Sequence, residues 1–221
     1  MRKNKMMRLA SALLVAVLLS TCAISGTFAK YVTTESGSDT ARVAKWGVEL
    51  VVDSFKLFAT DYEKTDSGFA GTYTVSSSNG DKLLAPGTDG KFADIAITGT
   101  PEVAVEVKVE ATVALSDNWI VDGDFYCPIE VTVGTTTIKG TDHTSAADFA
   151  AAIEAAIEGY TAEYEPNKDL STIDANFDIS WAWAFYDSDA NDVKDTKLGD
   201  KAVAEDLTFS VDLAITVTQI D

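Results

Sequence analysis

The sequence predicts an all-β fold: a two-sheet antiparallel sandwich of the jelly-roll type, with one inserted α-helix near residues 146–158. Three observations predict it. Apolar and polar residues alternate over long stretches, turn-forming residues separate these stretches, and only one stretch has helical periodicity. A strand with one apolar face must bury that face, so two sheets packed face to face are expected. The clearest alternation is Val103, Val105, Val107, Val109, Ala111, Val113 and Leu115.

Several other segments show the same two-residue period, which brings the expected number of strands to eight or nine. In the first, Ala44, Trp46, Val48, Leu50 and Val52 share one face. Pro86-Gly87 predicts a turn before a strand at 92–98. Gly134-Thr135 predicts a hairpin that returns through Ile138. The remaining strands are expected at residues 72–75, 129–133, 177–185 and 207–217. No linker divides this part of the chain, so residues 42–221 are expected to form one domain.

The single helical stretch has apolar residues four positions apart, which places them on one face. Ser145 can cap its start, with Asp148 three residues later, and Gly159 can end it. One apolar stripe indicates a helix that lies against the sandwich or covers one end of it. The stripe consists of Phe149, Ile153 and Ile157.

Residues 1–29 are typical of a signal peptide: a basic start, an apolar run at 9–24 and small residues before the expected cut. Cleavage between Ala29 and Lys30 would make Lys30 the new N-terminus. An alternative is acylation of Cys22 in a lipobox-like sequence, for which the preceding Thr21 is a poor fit. The layout predicts a secreted protein of the extracellular matrix or cell surface, with membrane contact only during export.

The net charge of the chain disfavours polyanionic partners. Residues 1–29 hold four of the 17 basic residues and none of the 35 acidic ones. The remaining 13 basic and 35 acidic residues therefore carry a net charge of −22. Such a surface repels nucleic acids and anionic membranes, so neither is expected as a partner of the mature chain.

Residues 30–41 are polar and have no apolar face of their own, although Tyr31, Val32, Thr33 and Thr34 favour a β-strand. Two interpretations stay open. The segment is a mobile tail, as chain termini often are, or it is a strand that pairs with the sheet of another subunit.

Five short motifs are spread over most of the chain: Gly26-Thr27-Phe28-Ala29-Lys30-Tyr31, Leu84-Ala85-Pro86-Gly87, Trp181-Ala182-Trp183-Ala184-Phe185, the Asp195–Gly199 turn, and the closing Thr216–Asp221. In these motifs the chain resembles the TasA/camelysin family. Members of that family are exported proteins of Gram-positive bacteria whose leaders are cut by a SipW-type signal peptidase.

The resemblance implies a jelly-roll subunit of extracellular biofilm fibres. In fibres of this family, the N-terminal segment of one subunit inserts as a strand into the next. For this chain, that implies a homopolymer formed by strand exchange, with Tyr31, Val32, Thr33 and Thr34 as donor-strand residues. Cleavage at Ala29 and Lys30 would release the donor.

Some members of the family are described as metalloproteases, but this sequence predicts no enzymatic activity and no catalytic residue. A zinc protease of the His-Glu-x-x-His type needs two histidines one helical turn apart. The chain has one histidine, His143, and no such motif. A camelysin-like metalloprotease is therefore the less favoured alternative to a structural subunit.

The first alternative to a structural subunit, ahead of the protease, is a monomeric extracellular module that binds calcium or carbohydrate. Oxygen ligands at alternate positions suit calcium, and such a cluster consists of Asp187, Asp189, Asn191 and Asp195. It departs from the EF-hand pattern, so a solvated acidic loop is the competing interpretation. No other cofactor is expected.

Two aromatic residues and one cysteine also have competing interpretations. Trp181 and Trp183 share a face, and the pair could form a carbohydrate-stacking platform or part of the core. The core is favoured because the opposite face holds small or polar residues. Cys127 is the only cysteine after residue 29, and its apolar surroundings favour a buried residue over an intermolecular disulfide.

Overall fold

A computed structural model describes residues 10–16, 42–52, 57–65, 72–92 and 95–220. Contacts divide the chain into two compact units, Met1–Val43 and Ala44–Asp221. In the first unit, residues 10–16 form a helix, α1. No helix within the described ranges has the length and apolar character needed to cross a bilayer.

The predicted cleavage and donor-strand residues lie outside the described residues. They are Ala29, Lys30, Tyr31, Val32, Thr33 and Thr34.

The second unit consists mainly of antiparallel strands, which confirms the all-β prediction at the level of fold class. Its described residues form thirteen strands, more than the eight or nine expected. The strands are β1 (Val48–Val52), β2 (Asp61–Thr65), β3 (Thr72–Ser76), β4 (Asp89–Phe92), β5 (Ile95–Gly99), β6 (Val105–Leu115), β7 (Ile120–Val121), β8 (Asp124–Phe125), β9 (Ile129–Val133), β10 (Thr136–Lys139), β11 (Ala162–Tyr164), β12 (Ile179–Trp183) and β13 (Phe209–Gln219).

The two largest sheets supply 12 of the 29 buried apolar residues in the described chain. One has the order β10-β9-β12-β4 and the other β11-β6-β13, and three pairs, β1-β5, β2-β3 and β7-β8, complete the set among the described strands. The predicted hairpin is confirmed as β9-β10. Alternate residues of the central strands are buried, as the two-residue period predicts. Among them are Val105, Val107, Val109, Val113, Ile129, Val131, Val133, Ile179, Trp181 and Trp183.

The predicted helix is confirmed as α2, Ala146–Glu158. The Ser145 hydroxyl accepts a hydrogen bond from the Asp148 N–H at 3.1 Å, which satisfies one of the unpaired donors at the helix start. The apolar stripe of α2 is fully buried, and the helix packs against β6. Its buried residues include Phe149, Ile153 and Ile157.

A further helix, α3 (Asp189–Lys201), corrects the prediction of only one inserted helix. It also replaces the predicted Asp-rich loop and the predicted turn at 195–199. Ser188 caps α3. Asp189 and Asp192 lie in its first turn, where their negative charge stabilises the positive end of the helix dipole. Because Leu198 is the only buried residue of α3, the helix has no apolar stripe that periodicity could detect.

The apolar face predicted for residues 44–52 is only partly buried. Trp46 is 40% exposed and Leu50 39% exposed, and Val51 on the opposite face is 45% exposed. Within the described chain β1 pairs with β5 alone, so the sheet gives this strand little cover. Alternation therefore predicted the strand correctly but overestimated its burial.

Candidate functional site: an open strand edge beside an apolar groove

The outer edge of β13 has no partner strand among the described residues. β13 pairs with β6 along its whole length, from Phe209↔Leu115 to Gln219↔Val105. Just before this ladder the Ser116 N–H donates to the Thr208 carbonyl at 3.1 Å. Hydrogen bonds to β6 therefore come from even-numbered residues of β13, since bonding direction alternates along an antiparallel strand.

The odd-numbered residues of β13 consequently direct their backbone N–H and C=O groups away from β6. No described strand pairs with this row of groups, so the row can form hydrogen bonds with one more strand. The same residues point their side chains toward the core, where Phe209 and Val211 are buried. The row consists of Phe209, Val211, Leu213, Ile215, Val217 and Gln219.

The opposite edge of this sheet is partly covered by its own chain. β11 pairs with residues 105–107 of β6. Farther along, the Thr161 Oγ1 accepts a hydrogen bond from the Val109 N–H at 2.9 Å and donates to the Val109 carbonyl at 3.2 Å. The Glu154 Oε1 of α2 accepts a bond from the Val113 N–H at 2.8 Å. Side chains thus take the place of a strand on the β6 side.

An open groove of about 650 Å³ lies beside the first half of β13. Residues 207–212, the segment 82–86 and α3 all contribute to its lining. Much of the lining is apolar, so the groove offers contact area to an apolar side chain. The apolar contributors include Leu57, Phe58, Leu83, Leu84, Trp119, Trp183, Leu198, Phe209 and Val211.

The predicted Pro86-Gly87 turn is confirmed and fixes the segment 82–86 at the groove. Gly87 has a positive φ, in the left-handed region that glycine adopts without steric cost. Its N–H donates to the Trp183 carbonyl at 2.9 Å, and its carbonyl accepts from the Tyr73 hydroxyl at 2.8 Å. The turn is therefore tied to both β12 and β3.

Asp195 contributes a half-buried carboxylate to the groove lining. Its Oδ1 accepts a hydrogen bond from the Tyr126 hydroxyl at 2.8 Å, and its Oδ2 accepts one from the Trp183 indole N–H at 3.0 Å. Burial raises the pKa of the Asp195 carboxyl, and these two hydrogen bonds act in the opposite direction. Burial likewise raises the pKa of the Tyr126 hydroxyl, and its bond to Asp195 adds to that rise.

The four residues proposed for calcium are not all directed to one point. The Asn191 amide donates to Asp187 at 2.6 Å, and the Tyr186 hydroxyl donates to Asp189 at 2.9 Å. The Asp195 carboxylate instead accepts hydrogen bonds from Tyr126 and Trp183. In the part of the chain that the structure describes, no three His, Cys, Asp or Glu side chains are grouped to hold a metal ion. Calcium binding stays a prediction without a formed site.

The core interpretation of the tryptophan pair is confirmed. Trp181 is 2% exposed and Trp183 is 6% exposed, so the pair forms no exposed platform for a sugar ring. The Trp181 indole N–H donates to the Leu57 carbonyl at 2.7 Å. This bond satisfies a donor that would otherwise be buried without a partner. Sequence alternation predicted correctly that both rings are buried. It did not predict the hydrogen bond from Trp183 to Asp195.

Cys127 is buried, as predicted. Burial raises the pKa of its thiol to about 12, so the thiol stays protonated at neutral pH. The residue has no exposed surface, so its sulfur has no access to a second molecule. This rules out an intermolecular disulfide from the folded protein.

No family model matches this chain, and no curated protein or solved structure is significantly similar to it. The resemblance to TasA and camelysin proteins thus has only its short motifs as support.

Proposed function

We propose that this protein is a secreted structural subunit of extracellular matrix or surface fibres, and that subunits assemble by donating an N-terminal strand after the leader is removed. The observation that carries the proposal is the outer edge of β13, which pairs with no described strand. A strand added there would pair with the outward backbone groups, and those hydrogen bonds would supply affinity without requiring a particular side chain at each position.

The proposed donor is the segment 30–41 of another copy. Its length suits the acceptor, because β13 has 11 residues and the segment has 12. Donor and acceptor lie on different parts of the same chain, so the contact is head to tail. A head-to-tail contact that does not close into a ring produces a filament.

The proposal includes the architecture of the subunit, which is a jelly-roll sandwich. An added strand would extend the order β11-β6-β13 from three strands to four, equal to the four strands of β10-β9-β12-β4. Each subunit would then complete its second large sheet only inside the fibre. A SipW-type signal peptidase would control assembly, because its cut between Ala29 and Lys30 would free the donor.

The test compares two purified chains, one that begins at Lys30 and one that begins at Arg42. We expect filaments in electron micrographs of the first chain and only monomers of the second. A third chain keeps its length but replaces residues 31–34 with Gly and Ser, and we expect it to assemble poorly. Filaments from the Arg42 chain, or a lasting monomer of the Lys30 chain, would contradict the proposal.

A monomeric extracellular binding module is the second candidate, and the groove favours it. The groove has a volume of about 650 Å³. Sites for small ligands usually have volumes of roughly 300 to 1,000 Å³, so the volume of the groove lies within this range. This candidate predicts that the Lys30 chain stays monomeric at high concentration and that a bound small molecule raises its melting temperature.

A further inference from the structure

We infer that the groove receives Lys30 and Tyr31 of a second copy and that the donor strand therefore runs parallel to β13. This inference rests on the proposed function and adds the direction and the anchoring residues of the donor.

The position of the groove gives the first argument. Residues 207–212 line it, whereas the later part of β13 does not. A strand added along the whole edge would therefore reach the groove with only one of its ends. If its first residues enter the groove, the strand is parallel to β13; if its last residues enter, it is antiparallel.

Charge selects between the two ends. Among the groove-lining residues of the described chain, four are carboxylates and one, Lys82, is a cation. The carboxylates come from α3, from the connection that follows it and from β13. Such a lining attracts positive charge and repels negative charge. The four are Asp195, Glu205, Asp206 and Asp212.

The proposed donor has opposite charges along its length. After cleavage, Lys30 would carry both its side-chain ammonium and a new α-amino group. The next charged residues of the segment are Glu35 and Asp39, which are acidic. At the other end Asp39 is followed by Arg42, just outside the segment, so that end carries no net charge. Only the first end is net positive and complements the groove, so the parallel direction is favoured.

The groove also offers contacts that suit these two residues. The carboxylate of Asp195 has no ion-pair partner in the described chain. Each of its oxygens keeps a lone pair after the bonds to Tyr126 and Trp183, so an ammonium group can bind there. Tyr31 follows directly, and its ring can pack on the apolar lining, which includes Phe58, Trp119 and Leu198.

The first experiment measures the critical concentration for filament growth of the chain that begins at Lys30. Asp195→Asn removes the charge but keeps both hydrogen bonds, because the amide oxygen accepts from Trp183 and the amide nitrogen donates to Tyr126. We expect a critical concentration about tenfold higher, as for the loss of a close interfacial charge pair. Asp142→Asn, at an exposed position outside the groove, makes the same charge change and should leave the value unaltered.

Lys30→Gln removes the side-chain ammonium but leaves the α-amino group, so it should raise the critical concentration by less than Asp195→Asn does. Combining the two changes should add little to the effect of Asp195→Asn. Additive effects of the two changes, or normal growth of the Asp195→Asn chain, would overturn the inference. Circular dichroism checks that each variant is folded.

The second experiment reads direction by disulfide cross-linking and does not depend on Asp195. Val32→Cys in the donor, on the strand face opposite Tyr31, is combined with Ser210→Cys or with Thr218→Cys, whose native side chains are exposed at the two ends of β13. A parallel donor cross-links to position 210. Cross-linking to position 218 instead would overturn the inference and leave the proposed function intact, whereas a chain that forms no filaments would overturn both.

Discussion

The two edges of the β11-β6-β13 sheet differ in whether the described chain itself bonds their outward backbone groups. On the β6 side, a short strand and the side chains of Thr161 and Glu154 satisfy outward backbone groups. On the β13 side, no described strand pairs with the outward groups. An edge that is covered by its own chain needs no partner, and one that is left open invites another strand. This contrast is the reason that the proposal places the second molecule at β13.

The covered edge depends on residues close to one another in the chain. Glu154 and Thr161 lie in α2 and just after it, so one helix and its exit bring both side chains to β6. Among the described residues β13 has no such neighbour. The segment that leads into it from α3 contributes to the groove lining instead of pairing along the strand. Whether an edge is covered thus follows from the path of the adjoining chain.

The largest effect is expected from proline in β13, where adjacent positions should respond differently. Ala214→Pro removes a donor that faces β6. Because it breaks the ladder, we expect it to lower the free energy of unfolding by about 2 kcal/mol or more. Leu213→Pro removes a donor that faces the open edge. It should keep the fold, because edge positions tolerate proline, but block filament growth.

Urea unfolding and electron microscopy together measure both outcomes. Leu213→Ala is the control, since it shortens the same side chain and keeps the outward N–H. If the Leu213→Pro chain formed normal filaments, the β13 edge would not be the acceptor.

A smaller effect is expected from Thr161→Val on the covered edge. The change keeps the shape of the side chain but removes the group that bonds both the N–H and the carbonyl of Val109. Leaving these groups unpaired should cost about 1–3 kcal/mol in the free energy of unfolding, measured in urea. Thr137→Val is the matched control, because its hydroxyl contact with Thr132 is exposed. It should change stability by less than about 0.5 kcal/mol. Equal effects of the two changes would show that Thr161 does not close the edge.

The smallest effect is expected from Glu154→Gln. The amide oxygen can still accept the bond from the Val113 N–H, but a neutral acceptor is weaker than a carboxylate. We expect a loss of about 0.5–1 kcal/mol in urea unfolding. Glu158→Gln on the same helix is exposed and serves as control. A gain in stability of the Glu154→Gln chain would mean that desolvation of the carboxylate outweighs its hydrogen bond.

Local patterns predicted the elements that bury a regular apolar face. Helix α2 and the strands β6, β9, β12 and β13 were all found in this way, because periodicity reports which face is buried. Helix α3 was missed because it buries only Leu198 and is stabilised at its start by Ser188. Burial of β1 was overestimated, since alternation cannot reveal whether anything packs on the apolar face.

The candidate site was harder to predict because its parts are distant in sequence. Asp195 was singled out as a calcium ligand, yet the residues that bind it are Trp183, 12 positions away, and Tyr126, 69 positions away. The open edge of β13 depends on the order of strands in the sheet, which alternation does not specify. The composition of residues 30–41 left both a mobile tail and a pairing strand open. The resemblance to TasA/camelysin proteins implied the donor strand, and its pairing is still a prediction.

The continuous ladder between β6 and β13 has a mechanical consequence for a fibre of the proposed kind. Tension passed from a donor strand to β13 would run along the strand and shear the 11-residue ladder to β6. Under shear the hydrogen bonds share the load and must break together, whereas peeling would break them one at a time. The strand that joins neighbouring subunits would then also be the one most firmly fixed within its own.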